Sequence, residues 1–389
     1  MKNAIKEIRM VDLHGQYLNI KEEVDEAIQN VIDGSAFING PAVKDFTLSL
    51  QKYLQIQHVI PCANGTDALQ IALMALELEK GAEIIVPAFS FAAPAEVVAL
   101  LGYTPIFADC TPGTFNVSVE SLSKCITSRT RAIIAVHLFG QPADIHEINN
   151  LAKKHHLFLI EDNAQSLGAV CKTDTETTFA GTVGDFGTTS FFPSKNLGCM
   201  GDGGALFTNN AVLAEKARMI ANHGQQKKYT HQLIGINSRL DSIQAAILNV
   251  KLKYLHSYIE KRIEAALLYF SLLRNCEHIN LPDWHPNSGH VFNQFTIRVP
   301  EDTRDLLIDY LNAVGIPTMI YYPMPLQLQP VFRNLPYEKG DLPVSEKISK
   351  EVISLPMHTE LDTVQLTYIS NHVLKGIAAI QHKKVLYNL

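Results

Sequence analysis

The chain has 389 residues, 47% hydrophobic and 19% charged, with a formal net charge of −6. That length exceeds what one compact core serves and suits a large domain with a smaller one. The mild acidity gives no general pull toward nucleic acid or an anionic membrane, so any bound anion must be held by local charges and backbone N–H groups.

The opening segment "MKNAIKEIRMVDLHGQY" carries no apolar core of the signal-peptide kind. No apolar run reaches the roughly eighteen residues a spanning helix needs. The six cysteines (Cys62, Cys110, Cys125, Cys171, Cys199, Cys276) are scattered without a C-x-x-C pair. Their spacing suggests neither a zinc site nor a disulfide scaffold, so free thiols, no metal and a cytoplasmic location are expected.

Along the chain, short apolar runs alternate with helical stretches. The strand candidates are "HVIPC" near 58–62, "EIIVP" at 83–87, "TPIFAD" at 104–109, "AIIAVHL" at 132–138, "LFLIED" at 157–162, "TTSFF" at 188–192 and "ALFTN" at 205–209. Most are nearly continuous hydrophobic runs, as expected of strands buried on both faces of a largely parallel sheet. Helical segments such as "TDALQIALMAL" and "AEVVALLG" fill the gaps, which is α/β alternation. From Leu240, apolar residues Ile243, Ile247, Val250, Tyr254 and Tyr258 recur at steps of three and four. This predicts one long helix over 239–274 bridging a large α/β domain (1–250) and a smaller α+β domain (251–389). In the latter, "VFNQFTIRV" reads as strand and "TRDLLIDYLNAVG" as helix.

Three segments carry candidate chemistry. In "CANGTDALQIAL", 62–73, a strand ends, a glycine turn follows and Thr66 or Asp67 can cap a helix. Such a helix start is either an ordinary cap or a phosphate seat. In "LIEDNAQSLGA", 159–169, Glu161 and Asp162 close a strand. An acid at the C-terminal edge of such a strand either marks where the chain leaves the core or holds a protonated ring nitrogen. The third, "SFFPSKNLGCMGDGGA", places Lys195 between aromatic residues and a glycine-rich run. A lysine there either snorkels outward or, desolvated, offers a neutral amine to a carbonyl.

Phosphate seat, strand-end acid and desolvated lysine are together what pyridoxal 5'-phosphate needs. At this point the chain resembles the sugar aminotransferases of the DegT/DnrJ/EryC1/StrS family. The resemblance rests on "ANGTDAL", "VPAFSFAAPAE", "IEDNAQSLGA", "TTSFFPSKNLGCMGDGGA", "NHGQ", "GINSRLDSIQAAIL" and "SLPMH", in family order over nearly the whole chain. It implies the aspartate-aminotransferase fold (PLP fold type I), a large mostly parallel sheet domain plus a smaller α+β C-terminal domain. It further implies Lys195 as the lysine that binds the cofactor and moves the proton, Asp162 at the pyridinium nitrogen and Gln165 at the ring hydroxyl. Phe91 would stack on the pyridine, and Gly65, Thr66 and Ser190 would hold the phosphate. Asn237 would reach the phosphate of a neighbouring subunit's cofactor, so a homodimer with shared sites is implied. A related sugar 3-dehydratase has histidine in place of that lysine; Lys195 therefore favours transamination over dehydration. A non-catalytic regulator that merely binds the cofactor would be signalled by loss of Lys195 or Asp162, and both are present.

For the substrate, the resemblance implies L-glutamate as amino donor and a UDP- or dTDP-linked keto sugar as acceptor. The wording "SFFPSKNLGCMGDGGA" is similar to enzymes that aminate UDP-2-acetamido-3-oxo-glucuronate for surface polysaccharides such as O-antigen. A dTDP-3-oxo- or 4-oxo-6-deoxyhexose is the alternative. A uronate adds a carboxylate to a diphosphate and calls for cations. "NHGQQKKYTH" supplies His223, Lys227, Lys228 and His231, and Arg239 follows Asn237. Arginine can clamp a carboxylate in a bidentate pair, although the 227–231 run reads equally well as a solvated loop. Tyr321 and Tyr322 of "IYYPMPLQ" would line the sugar pocket or pack at an interface. The polar stretch "KTDTETTFAG", 172–181, reads as a surface insertion.

Overall fold

The computed structural model describes residues 6–173, 175–284 and 289–387. Seven strands form the central sheet: β1 (His58–Cys62), β2 (Glu83–Pro87), β3 (Thr104–Ala108), β4 (Thr130–Val136), β5 (Phe158–Asp162), β6 (Phe186–Ser190) and β7 (Gly204–Thr208). Their spatial order is β1-β7-β6-β5-β4-β2-β3. Strand β7 runs antiparallel to both β1 and β6, and the remaining neighbours are parallel. All seven expected strands are present, with one shift of consequence. The run 188–192 does not continue as strand through Phe191 and Phe192; β6 ends at Ser190, and the chain turns before Lys195.

Because successive side chains on a strand point to opposite faces, the continuous apolar runs feed two cores at once. Val59, Ile85, Ile133, Leu159 and Phe207 enter one core, with helices Pro41–Leu54, Ile145–Lys154 and Ser242–Leu252. Ile60, Ile84, Val86, Ile134, Ile160 and Leu206 enter the other, with helices Gly65–Ala75, Ala93–Leu100 and Ala211–Ala221. The result is a three-layer arrangement in which the C-terminal ends of β1 to β6 share one edge.

A third core lies in the C-terminal part. Helices Leu255–Leu273, Glu301–Ala313 and Thr363–Tyr387 surround an antiparallel strand pair, Phe295–Arg298 with Val352–Leu355. The single helix expected over 239–274 is a correction: it is two helices, Ser242–Leu252 and Leu255–Leu273. At the junction, Lys253 and Tyr254 donate to carbonyls three residues back, a tightened turn between the two helices. No proline or glycine forces it. The physical reason is that these three-residue bonds interrupt the regular helix ladder; Ala245, Leu248, Leu255 and Ile259 on the two helices pack into the first core, and Ala266, Tyr269 and Leu273 into the third.

The polar stretch 172–181 belongs to a small hairpin, Val170–Lys172 with Thr177–Phe179. Its base is anchored by Cys171 and Ala180 in the first core, and residue 174 lies outside the described residues. The N-terminal helices Leu13–Leu18 and Lys21–Gly34 close the fold, the latter packing Ile20 and Val24 against Ile247 and Val250.

Candidate active site

The shared strand edge collects the predicted residues. Asp162 is the last residue of β5, Ser190 the last of β6, and Asn64–Gly65 follow β1 by two residues. Gly204, which opens β7, is opposite both Ser190 and Cys62 in register. The approach is so close that a Cβ on Gly65 would stand 2.7 Å from Ser190 Cβ, and one on Gly204 would stand 2.4 Å from the Asn64 carbonyl carbon. Only glycine permits that contact between backbones.

The helix Gly65–Ala75 is capped by Asn64, whose side chain accepts the Asp67 N–H at 2.8 Å. This corrects the expectation that Thr66 or Asp67 would cap. Asn64 has the extended backbone of a cap, while Thr66 and Asp67 are already in the first turn. With Asp67 served by the cap, the N–H groups of Gly65 and Thr66 have no protein acceptor among the described residues. Ser190 Oγ lies beside them and accepts the Phe192 N–H at 3.2 Å. Two free donors and a hydroxyl at the positive end of a helix suit a phosphate.

Lys195 and Asp162 are coupled. Burial pushes the Lys195 ammonium below its usual pKa, and the Asp162 carboxylate pulls it back. Burial pushes the Asp162 carboxyl up, opposed by the Ala164 N–H, which donates to it at 3.0 Å, and by Lys195. Lys195 keeps part of its surface open to the cleft while its surroundings strip the ammonium of water. Gln165 is buried beside them. Its Oε1 accepts the Phe139 N–H at 2.6 Å and its Nε2 donates to Tyr322 Oη at 3.1 Å, leaving one amide hydrogen free. Burial raises the Tyr322 hydroxyl pKa, so it stays protonated.

The aromatic wall is layered. Phe89 is buried against Phe115, Phe139 and Tyr322, whereas Phe91 is 57% exposed with its ring 6.3 Å from that of Tyr322. An exposed phenylalanine beside a buried aromatic cluster fits a flat ring stacked on it. Leu326 N–H donates to Ala88 O at 2.8 Å and brings Tyr321 and Tyr322 to this side. His223, Asn237 and Arg239 form a separate group. Asn222 pairs with Asn237, His223 N–H donates to Ile236 O, and Arg239 reaches Asn222 Oδ1 at 3.4 Å. Ser238 joins this group to the phosphate seat by accepting the Ala63 N–H at 3.0 Å. Asn237 and His223 are exposed, as are Lys227, Lys228 and His231.

Sequence reasoning named the other acid, Glu161, but missed what it meets. Glu161 is fully buried and accepts from His137 Nε2 at 2.9 Å and from the N–H groups of Gly181, Val183 and Gly184. His137 Nδ1 accepts the Ala143 N–H at 3.0 Å, which leaves the ring proton on Nε2 and the imidazole neutral. Alternation on β5 could have signalled that Glu161 and Asp162 face opposite sides, but not what either meets.

Lys195, Asp162, Gln165, Phe91 and the Gly65–Thr66–Ser190 seat thus supply an amine, an acid, an amide donor, a stacking ring and an anion cradle. This set fits pyridoxal 5'-phosphate, and no cluster of three or more metal-ligating side chains occurs among the described residues.

A profile of the DegT/DnrJ/EryC1/StrS aminotransferase family matches residues 18–374. A protein of Geobacillus stearothermophilus named pleiotropic regulatory protein is 44% identical, covering 93% of this chain and 96% of its own. The UDP-2-acetamido-2-deoxy-3-oxo-D-glucuronate aminotransferase of Pseudomonas aeruginosa is also 44% identical, covering 93% and 98%. The solved structure of ntda from Bacillus subtilis with bound cofactor PMP is 30% identical with a TM-score of 0.89, covering 97% of this chain and 86% of that one. This chain belongs to the DegT/DnrJ/EryC1/StrS aminotransferase family, whose members use pyridoxal 5'-phosphate.

Proposed function

We propose that the enzyme transfers an amino group from L-glutamate to C3 of UDP-2-acetamido-3-oxo-glucuronate, in the cytoplasm, on the way to a surface polysaccharide such as O-antigen. The observation that carries the aminotransferase chemistry is the Lys195–Asp162 pair: an amine desolvated toward neutrality facing a buried acid that it helps keep ionised. The sugar assignment is supported by the relative of that activity at 44% identity and by the cationic group around Arg239.

When bound, the cofactor supplies an electron sink for the carbanion formed at the amino-bearing carbon. Lys195 Nζ holds the cofactor at rest and, once released, takes and returns the proton at the substrate carbon. Its depressed basicity makes the neutral amine easier to reach and the proton easier to give back. Asp162, anionic, holds a proton on the ring nitrogen. Gln165 offers its free amide hydrogen to the ring hydroxyl, and Phe91 covers one ring face. The Gly65 and Thr66 N–H groups and Ser190 Oγ bind the phosphate. Arg239 and His223 take the acceptor's carboxylate and diphosphate, and Tyr321 and Tyr322 wall the sugar.

The protein acts as a homodimer in which Asn237 reaches the partner's phosphate. Its exposure and the uncovered apolar side chains Phe37, Ile38, Phe192, Met200 and Ile234 support that assembly. Visible absorbance tests the reading. Cofactor-loaded protein is bleached with L-glutamate, desalted and mixed with UDP-2-acetamido-3-oxo-glucuronate. Return of the band supports the assignment. Bleaching without return, followed by return with a dTDP-linked oxo-deoxyhexose, keeps the aminotransferase and replaces the sugar.

A further inference from the structure

The loop that carries Lys195 is tied to the C-terminal part of the chain by a buried amide pair. Asn293 Nδ2 donates to Asn196 Oδ1 at 2.9 Å, and Asn196 Nδ2 donates to Val291 O at 3.4 Å. Both side chains are buried, and the second bond fixes how the first must run: with its NH2 toward Val291, Asn196 presents only its oxygen to Asn293. Asn196 immediately follows Lys195 in sequence.

The same short segment also braces the opposite side of the site. Val291 N–H donates to Gly140 O at 2.9 Å and Gln294 N–H to Phe139 O at 3.1 Å. Phe139 in turn donates its N–H to Gln165. Gly140 lies so close that a Cβ there would stand 2.7 Å from Asn293 N. The segment is itself pinned from behind. Arg262, buried on the helix Leu255–Leu273, donates through Nη1 to Phe292 O, Asn293 O and Met357 O. No carboxylate pairs with Arg262 among the described residues, so these carbonyls are what meet its charge.

We infer that Asn293 is a positioning residue for Lys195: through Asn196 it sets the lysine loop against a segment that Arg262 anchors to the C-terminal core. The inference rests on the proposed role of Lys195. Lys251 holds the far side of the loop at Gly198 O; without the Asn196–Asn293 link the residues next to Lys195 would let Nζ shift relative to Asp162, and misplacement of about 1 Å can cost on the order of 100-fold in rate.

The test is a cycle of Asn196→Ala, Asn293→Ala and the double variant in the cofactor-loaded enzyme. It reads the pH midpoint of the visible band, together with kcat and KM for L-glutamate. Each single variant is expected to shift the midpoint by about half a pH unit or more and to lower kcat roughly tenfold or more, with KM changed less than about threefold. The double variant is expected to be no worse than the poorer single one, because both break one link. An unchanged midpoint, a loss confined to KM or thermal stability, or fully additive losses would overturn the inference. Should Asn293→Ala not fold, Asn293→Ser, too short to reach Asn196, is read by the same criteria. A wild-type protein without a pH-dependent visible band removes the role of Lys195 and this inference together. A normal wild-type band with an unmoved variant midpoint removes the inference alone.

Discussion

Two lysines are desolvated within one neighbourhood of this enzyme, one partly open to the cleft and one buried. Lys195 sits in the loop after β6 and faces Asp162. Lys251, near the end of the helix Ser242–Leu252, donates to Gly198 O in that same loop at 2.6 Å. Burial lowers the basicity of both, and for Lys251 the pKa is pushed down to about 8. A depressed lysine is therefore not by itself a reactive one. Lys195 has an ionisable partner, an open cleft and an anion cradle nearby. Lys251 has a carbonyl and the Cys199 thiol, which burial keeps protonated by raising its pKa to about 11. One lysine has the surroundings the proposed chemistry needs; the other staples the loop that carries it.

Substitutions break the comparison in order of expected effect. Lys195→Ala removes the group proposed to move the proton, and turnover is expected to fall by about 1,000-fold or more while the circular dichroism spectrum is retained. Wild-type turnover in that variant would sink the assignment. Asp162→Asn leaves Lys195 without its carboxylate and makes its surroundings resemble those of Lys251. A loss of roughly 100-fold or more in the L-glutamate half-reaction is expected, measured by stopped-flow absorbance.

Lys251 has its effect on stability instead. Its folded pKa lies below the unfolded value, so between pH 8 and the ordinary lysine range the unfolded chain binds the extra proton and stability rises with pH. Lys251→Met is expected to abolish that rise, a difference on the order of 2 kcal/mol between pH 7 and 10 in paired urea melts. Identical pH slopes for the two proteins would show that Lys251 is not desolvated. The smallest effect is expected at the rim. Arg239→Ala should raise KM for the uronate about tenfold with little change for L-glutamate. Equal changes for both substrates would remove its role as a carboxylate clamp.

The contrast between the lysines is also a contrast in legibility. Lys195 stands out in the sequence because aromatic residues precede it and glycines follow. Lys251 lies in "NVKLKY", where a lysine on a helix reads as solvated, and only the loop folded over it shows otherwise. Glu161 and Asp162 are adjacent in the same motif, yet one accepts four hydrogen bonds in the core and the other accepts one, from the Ala164 N–H, and interacts with Lys195. The break at Lys253–Tyr254 was equally hidden, since no proline or glycine marks it in the sequence.

From the sequence alone followed the strands, the α/β layering and the three segments that the fold brings to one strand edge. These rest on local patterns: alternation that sends neighbours to two cores, a glycine turn before a helix, an acid at a strand end. What only the tertiary structure decided is which buried polar groups face one another. The Asn196–Asn293 pair spans 97 positions, and Arg262 meets carbonyls 30, 31 and 95 positions away. Burial and partner choice are properties of the packed whole, and the polarity of a residue in isolation does not carry them.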